Sequence, residues 1–316
     1  MLKSRKKISA KAAFKKGCMT FKSQLLLQAM VIPGLVILIL FAYLPIYGVQ
    51  IAFRDFKFNL GITGSPWVGF KFFEEFLTDP YVPQAIFNTI GISFFNLLVS
   101  FPLSIILAIM INEVSNLKYK KFVQTVSYMP YFISWTILAV MATSWLSPSR
   151  GFINGFLTAL GILEEPYHFL GKPEAFWPLT VALSTWKGIG WSTIVYLSVI
   201  VGISPELYES AHLDGANIFQ RAWYITIPGI MPTVMLVLIL NVGSLVRGNF
   251  SASYLLGNTM NISRSQIIET YTLKLGMNLG RYSYASAVGL LQNFISMLLV
   301  LGTNWLSNRF TGESLF

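Results

Sequence analysis

Charge is what this chain has least of. Asp, Glu, Lys and Arg together supply 11% of its 316 residues, where a soluble domain carries about 25%. Reactive side chains are as sparse. The single cysteine, Cys18, excludes an intramolecular disulfide and argues against a cysteine metal cluster. The two histidines, His168 and His212, stand alone in loops without metal-ligand spacing, and no nucleophile accompanies His212 and Asp214. No metal site, no Ser/His/Asp chemistry and no enzymatic activity are therefore expected. No G-x-x-x-x-G-K-[ST] run occurs, so no phosphate-cradling loop of that kind is present and ATP is not hydrolysed here by that route.

The remaining charge is strongly clustered. No Asp, Glu, Lys, Arg or His occurs over residues 23–53, 80–112, 122–149, 222–246 or 282–308, and residues 175–205 are broken only by Lys187. Each stretch exceeds the ~20 residues that cross a bilayer as a helix, and a lone segment in lipid satisfies its own backbone hydrogen bonds only as a helix. The expected fold class is an all-α membrane protein with six transmembrane helices. Span one covers about residues 25–51, span two 84–111, span three 123–147, span four 177–203, span five 229–247 and span six 283–306. A large soluble core would not need six such stretches. Proton-driven carriers commonly hold ionisable groups at mid-bilayer, yet no span contains Asp or Glu in its interior. An ion-coupled secondary carrier therefore lacks a visible coupling site. Lys187, in "STWKGIGWST", is the one full charge well inside a span. Either it snorkels to an interface or it faces an aqueous path.

Orientation follows from Lys and Arg. With the N-terminus cytoplasmic, 13 basic residues fall in 55 inner positions and nine in 86 outer ones, as the positive-inside rule requires. Arg247, Arg264, Lys274 and Arg281 run against the rule, all on one outer segment. The expected organisation is N-in and C-in: a cytoplasmic basic tail over 1–24, a six-helix membrane domain over 25–308 and a cytoplasmic tail over 309–316. The net charge of +10 does not call for nucleic acid, because "KSRKKISAKAAFKKG" reads as a topology anchor drawn to anionic lipid. That run also looks like the start of a signal peptide. The apolar stretch after it is too long, and no small-residue cleavage site follows "ILILFAYLP", so it is expected to stay. In the outer segment 54–79, Trp67, Phe70, Phe72, Phe73 and Phe76 suit a short helix at the membrane interface.

Between spans four and five the chain turns polar, in "SPELYESAHLDGANIFQRAWYITIPGI". Ser204 reads as an N-cap, Pro205 as the first helical residue and Glu206 as a carboxylate at the positive end of the helix. Gly215 ends that helix, because glycine readily takes the left-handed conformation of a helix C-terminus. A second helical piece follows, with Ile218, Phe219, Ala222 and Trp223 on one side, and Pro228 opens span five. The expected result over 204–228 is a short cytoplasmic helix–turn–helix held at both ends by membrane helices, a handle another protein could grip.

This segment resembles the "EAA" loop, E-A-A-x-x-x-G with a downstream I-x-x-P, of permease subunits of bacterial ATP-binding-cassette importers. Here it is Glu209, Ser210, Ala211, Gly215, Ile225 and Pro228, with Ser210 replacing the usual alanine. "DGAN", Phe219, Trp223 and "ITIPG" are similar to the maltose-type carbohydrate-uptake group. "PELYESAHLDGAN" with "YSYASAVGLLQNFISMLLVLGTNWLSNRF" looks like its complex-oligosaccharide branch. The resemblance implies a coupling helix between spans four and five, residues 205–217, seated in an ATPase groove. Glu209 would pair with a basic ATPase residue, Ala211 would permit close approach and Gly215 would allow the turn, with Ser210, Asp214, Ala216 and Pro228 completing the ATPase-coupling set. It implies as partners a second homologous permease in a heterodimer, two ATPase subunits that bind ATP and Mg, an extracellular solute-binding protein and a carbohydrate. It implies no cofactor in this chain and a bacterial plasma-membrane location. An amino-acid or peptide permease is the alternative within the class.

Sugars are held by aromatic faces and hydrogen bonds, so polar and aromatic residues of the spans are the candidate path: Trp186, Trp191, Asn241, Gln292 and Asn293. The resemblance adds Arg247 and Asn249, in "LVRGNF". Each could instead make helix–helix hydrogen bonds within the bundle, worth ~0.6 kcal/mol apiece.

Overall fold

The computed structural model describes residues 25–312. The tail 1–24 with Cys18, and the end of the C-terminal tail, lie outside the described residues. Described structure is helical; its extended pairing is two isolated bridges, Arg54 with Trp67 and Lys57 with Gly61. By length and composition, four helices can cross a membrane: Gln28–Phe53, Val82–Glu113, Ile218–Gly243 and Tyr282–Arg309. Two bent pairs raise the number to six if each is one span: Leu117–Phe132 with Trp135–Trp145, and Pro173–Ile200 with Pro205–Leu213. The chain forms two compact units, Met1–Val68 and Gly69–Phe316.

In the first unit, α1 (Leu25–Leu38) passes into a π turn at Ile39–Tyr43 and a 3-10 stretch at Leu44–Phe53. Pro45 explains the change of winding. Its ring would meet the carbonyl four residues back in an α-helix, and a widened turn before it removes that clash. A tight loop follows. The Arg54 guanidinium donates to the carbonyls of Thr63 at 3.0 Å and Ser65 at 2.8 Å and lies over the Trp67 ring.

In the second unit, α2 (Lys71–Thr78) buries Phe72 and Phe76, and Phe76 meets the ring of Tyr284. These two rings were expected at the lipid interface. They pack inward instead, because the helix is two-sided and lies against α13 (Tyr282–Thr311); Phe70 stays exposed.

The spine is the pair α3 (Val82–Glu113) and α7 (Pro173–Ile200). Small residues bring them close. Trp177 covers Gly91 where a Cβ would clash, the hydroxyls of Ser100 and Thr185 meet at 2.6 Å, and Thr193 donates to the Ser104 carbonyl. Hydrogen bonds of this kind hold helices together where the surrounding lipid supplies no hydrophobic drive. Two apolar clusters sit along this spine. One gathers Ile92, Ala142, Phe176 and Ile267, and the other Ala108, Ile111, Tyr196 and Ile230.

Span three is not one helix. It is α4 (Leu117–Tyr128), a 3-10 turn Met129–Phe132 and α5 (Trp135–Trp145), bent by 95°, and the short α6 (Phe152–Ala159) follows. The sequence "MPYFIS" contains the cause. Pro130 sits in the 3-10 turn, and the Ser134 hydroxyl caps a new helix by accepting from the Ile137 N–H. Lys187 of α7 donates from Nζ to the carbonyls of Tyr131 at 2.5 Å and Ile133 at 2.6 Å, and its ammonium lies over the Tyr131 ring. Lys187, the lone charge well inside a span, thus supplies donors to carbonyls that the break releases. Gly190, one turn on, lets α4 approach, since a Cβ there would run into the Ser127 carbonyl.

The segment 247–281 was expected as a plain outer loop, but it is folded. It contains α11 (Phe250–Leu256), a turn at Ile262–Ser265, α12 (Ile268–Leu273) and a π turn at Lys274–Asn278. Asn88 of α3 donates to the carbonyls of Ser263 and Gln266, and Thr89 accepts from the Ile268 N–H. Three of its four basic residues have partners. Arg247 bonds Asn293, Arg264 lies over Phe87 and Trp177, and Arg281 pairs with Glu75.

Candidate functional site

The helix–turn–helix expected between spans four and five is present as α8 (Pro205–Leu213) and α9 (Ile218–Arg221). The Ser204 side chain makes no capping bond. Pro205, whose fixed φ is preorganised for a first helical residue, and Glu206 in the first turn favour the start instead. The far end is closed as expected. Gly215 has φ +80°, its N–H donates to the His212 carbonyl, and the Ala216 N–H reaches back to Ala211 at 2.8 Å. This crossed pair of bonds is a Schellman motif. It fixes Glu209, Ser210, Ala211 and Asp214 on a helix that ends abruptly at Gly215 and Ala216.

A capping box that the sequence reading passed over begins the next helix. Asn217 accepts from the Gln220 N–H, while the Gln220 side chain accepts from the Asn217 N–H. The N-x-x-Q spacing was its signal. Two contacts then lash the hairpin to the membrane helices. Tyr208 and Thr226 hydroxyls meet at 3.0 Å, with Thr226 buried. Arg221 pairs with Glu113 at 2.8 Å, both mostly buried. Glu113 is the last residue of α3, where the helix dipole disfavours a carboxylate, so Arg221 answers a local need.

Pro228 stands in the first turn of α10 (Ile227–Gly243), where it was expected, but helical winding begins earlier, running from Ile218 through a π turn at Ala222–Thr226. As at Pro45, the widened turn precedes the proline by two residues. The hairpin exposes large apolar side chains: Leu213 is 87% exposed and Phe219 85%, Trp223 and Tyr224 of the following π turn are exposed too, and so are Glu209 and Asp214. Exposed apolar area rimmed by carboxylates has the character of a protein-binding surface.

The candidate path residues fall into four places. Asn241 and Asn249 share a small polar cavity of about 80 Å³ with Ser93, Asn96 and Ser244. Asn249 donates to the Ser184 hydroxyl and caps α11 by accepting from the Ala252 N–H. Arg247 and Asn293 bond each other at 3.0 Å. Gln292, buried, donates to the Val246 carbonyl. Trp186 and Trp191 lie apart on α7, half-exposed, with Trp191 stacked on Tyr131 at 4.5 Å. Asn96 and Ser184 were missed, although "FFNLL" shows Asn96 by the same criterion that singled out Asn241. Glu269 was missed as well. Burial pushes its carboxyl up from the ordinary range, and the charge of Arg247 opposes that shift. Among the described residues no group of three His, Cys, Asp or Glu is placed to hold a metal ion.

Residues 100–311 match the model of the family described as binding-protein-dependent transport system inner membrane components. Two relatives from Bacillus subtilis strain 168 are each 38% identical over 290 residues. They are the protein LplB, matched over 92% of this chain and 91% of that one, and the polygalacturonan/rhamnogalacturonan transport system permease protein YteP, over 92% and 90%. Among solved structures, a bacterial ABC transporter involved in the import of the acidic polysaccharide alginate matches with a TM-score of 0.85 and 36% identity. That match covers 94% of this chain and 99% of the other. The alginate transporter in complex with an alginate pentasaccharide-bound periplasmic protein gives 0.84 and 35%.

Proposed function

This chain belongs to the family of binding-protein-dependent transport system inner membrane components, and on that premise we propose that it imports an oligosaccharide. It is one permease of an ATP-driven importer, working with a second, different permease and two ATPase subunits that bind ATP and Mg. An extracellular solute-binding protein delivers the sugar. Six spans carry the chain through a bacterial plasma membrane, with both termini cytoplasmic. Relatives that transport polygalacturonan, rhamnogalacturonan and alginate support a saccharide of several units over an amino acid or peptide.

The observation that carries the reading is the hairpin formed by α8 and α9. Its backbone is closed by Gly215, its base is bonded to α3 and to the foot of α10, and its free side offers Leu213, Phe219 and carboxylates. Glu209 meets a basic residue of the ATPase there. Closure of the ATPase pair on ATP draws two such hairpins together, and each hairpin is built to pass that displacement rigidly to its spans. The sugar's preference for one access state must arise from contacts that differ between the two states. Asn241, Asn249, Arg247, Gln292 and Asn293 supply them, with Trp186 and Trp191.

The test is reconstitution with the co-expressed partners. Binding protein loaded with pentasaccharides of galacturonate, alginate or neutral hexose should stimulate ATP hydrolysis and drive uptake. Stimulation by amino acids or peptides, with none of the saccharides active, would replace this reading with the alternative.

A further inference from the structure

A cavity of about 520 Å³ opens where α12 and the π turn after it meet the start of α13. Phe250, Glu269, Thr272, Tyr282, Ser286 and Gln292 are among its lining residues. Two features set it apart from packing space. The Glu269 carboxylate is half-buried and, like the Ser286 hydroxyl, makes no side-chain hydrogen bond among the described residues. Thr272 Oγ1 is shielded from solvent and likewise has no partner. Buried polar groups in a folded protein are normally satisfied, and one that is not calls for an explanation. Here one shielded hydroxyl, that of Thr272, lacks a partner, and the part-exposed Glu269 carboxyl and Ser286 hydroxyl line the same cavity without a side-chain hydrogen bond among the described residues. Gln292, at the same cavity, and Arg247, whose charge acts on Glu269, are both on the candidate path.

We propose that this cavity is a saccharide subsite at the outer mouth of the path, in which Glu269 accepts hydrogen bonds from an adjacent pair of sugar hydroxyls. A carboxylate has two acceptor oxygens at the spacing of a vicinal diol, and it accepts without competing as a donor. Charge-assisted bonds of this type are the stronger ones. Thr272 and Ser286 take further hydroxyls, and the Phe250 ring covers the sugar's C–H face. A site built to bond hydroxyls discriminates sharply against ligands that lack them. The subsite rests on the carbohydrate reading above and assigns to Glu269 the role of a specificity-determining residue.

The experiment uses the complete importer in proteoliposomes, with its binding protein saturated by one of four probes: alginate, galacturonan, malto- or xylo-pentasaccharide, whichever the unaltered importer carries fastest. Glu269→Gln should lower uptake at least tenfold, with Glu269→Asp retaining part of it. Thr272→Val should lower uptake about fivefold, while recovery and thermal stability of the complex stay equal or rise, because valine replaces a hydroxyl that has no partner. A purely structural threonine gives the opposite pattern, with uptake following the amount of complex. Uptake unchanged in both variants, or loss of uptake matched by loss of complex, would overturn the subsite alone. An unaltered importer that carries none of the four probes would overturn the saccharide reading, and the subsite with it.

Discussion

Glu113 and Arg221 are separated by 108 positions in the chain and form one ion pair, each side chain less than 20% exposed. Arg221→Met should leave the Glu113 carboxylate unpaired at the negative end of α3. Breaking such a partly buried pair costs about 1–3 kcal/mol, which for a protein of this size lowers the melting temperature by roughly 2–6 °C. Thermal unfolding of the detergent-purified complex measures this. An unchanged midpoint would mean the pair contributes nothing to the hairpin's attachment. Their pairing was not legible in the sequence, because nothing local indicates which acid meets which base. The placement of Glu209, Ser210 and Ala211 on a short helix closed at Gly215 was legible for the converse reason. It depends on one turn of helix and a positive φ, and both are local properties of "ESAHLDG".

Helices α3, α7, α10 and α13 stand within a few residues of where charge-free runs placed them, since length and apolarity are enough to mark a span. The break between α4 and α5 was not placed. Its signals, Pro130 and Ser134, lie within an uncharged run, and a composition argument passes over them. The compensating donor, Lys187, is more than fifty residues away. Lys187→Met should strand the Tyr131 and Ile133 carbonyls and lower the yield of folded complex severalfold. Lys187→Arg, which keeps donors and charge, should restore much of it. Gly190→Ala should be worse than either, because its Cβ collides with backbone at Ser127, which has no flexible end to move. Fluorescence-detected size-exclusion profiles of the three variants rank them. A wild-type profile for Lys187→Met would remove Lys187 from the account of the bend. The folding of residues 247–281 was illegible for a related reason: Asn88, Thr89 and Trp177 hold it from other helices. Three of the four basic residues that disturbed the charge rule, Arg247, Arg264 and Arg281, are engaged in this packing.

For the whole molecule, orientation and coupling are the outstanding claims. Cysteine at Phe58, an exposed side chain of the loop after α1, should react with an impermeant thiol reagent in intact cells. Cysteine at Asn217 should react only after the cells are opened. The reverse pattern would invert the topology. The central claim is that the α8–α9 hairpin transmits ATPase motion to the path, and one measurement addresses it most directly. Glu209→Lys turns an attraction into a like-charge contact, which at interfaces costs several kcal/mol. Gly215→Val forces a β-branched residue to φ near +80°, with no neighbour within 4 Å to confuse strain with collision. Purified through a tag on this chain, both variants should reach the membrane in normal amount and bring down at least tenfold less ATPase. Saccharide uptake should fall in proportion, while the separate binding protein holds its ligand as before. Full ATPase recovery and full uptake in both variants would contradict the account.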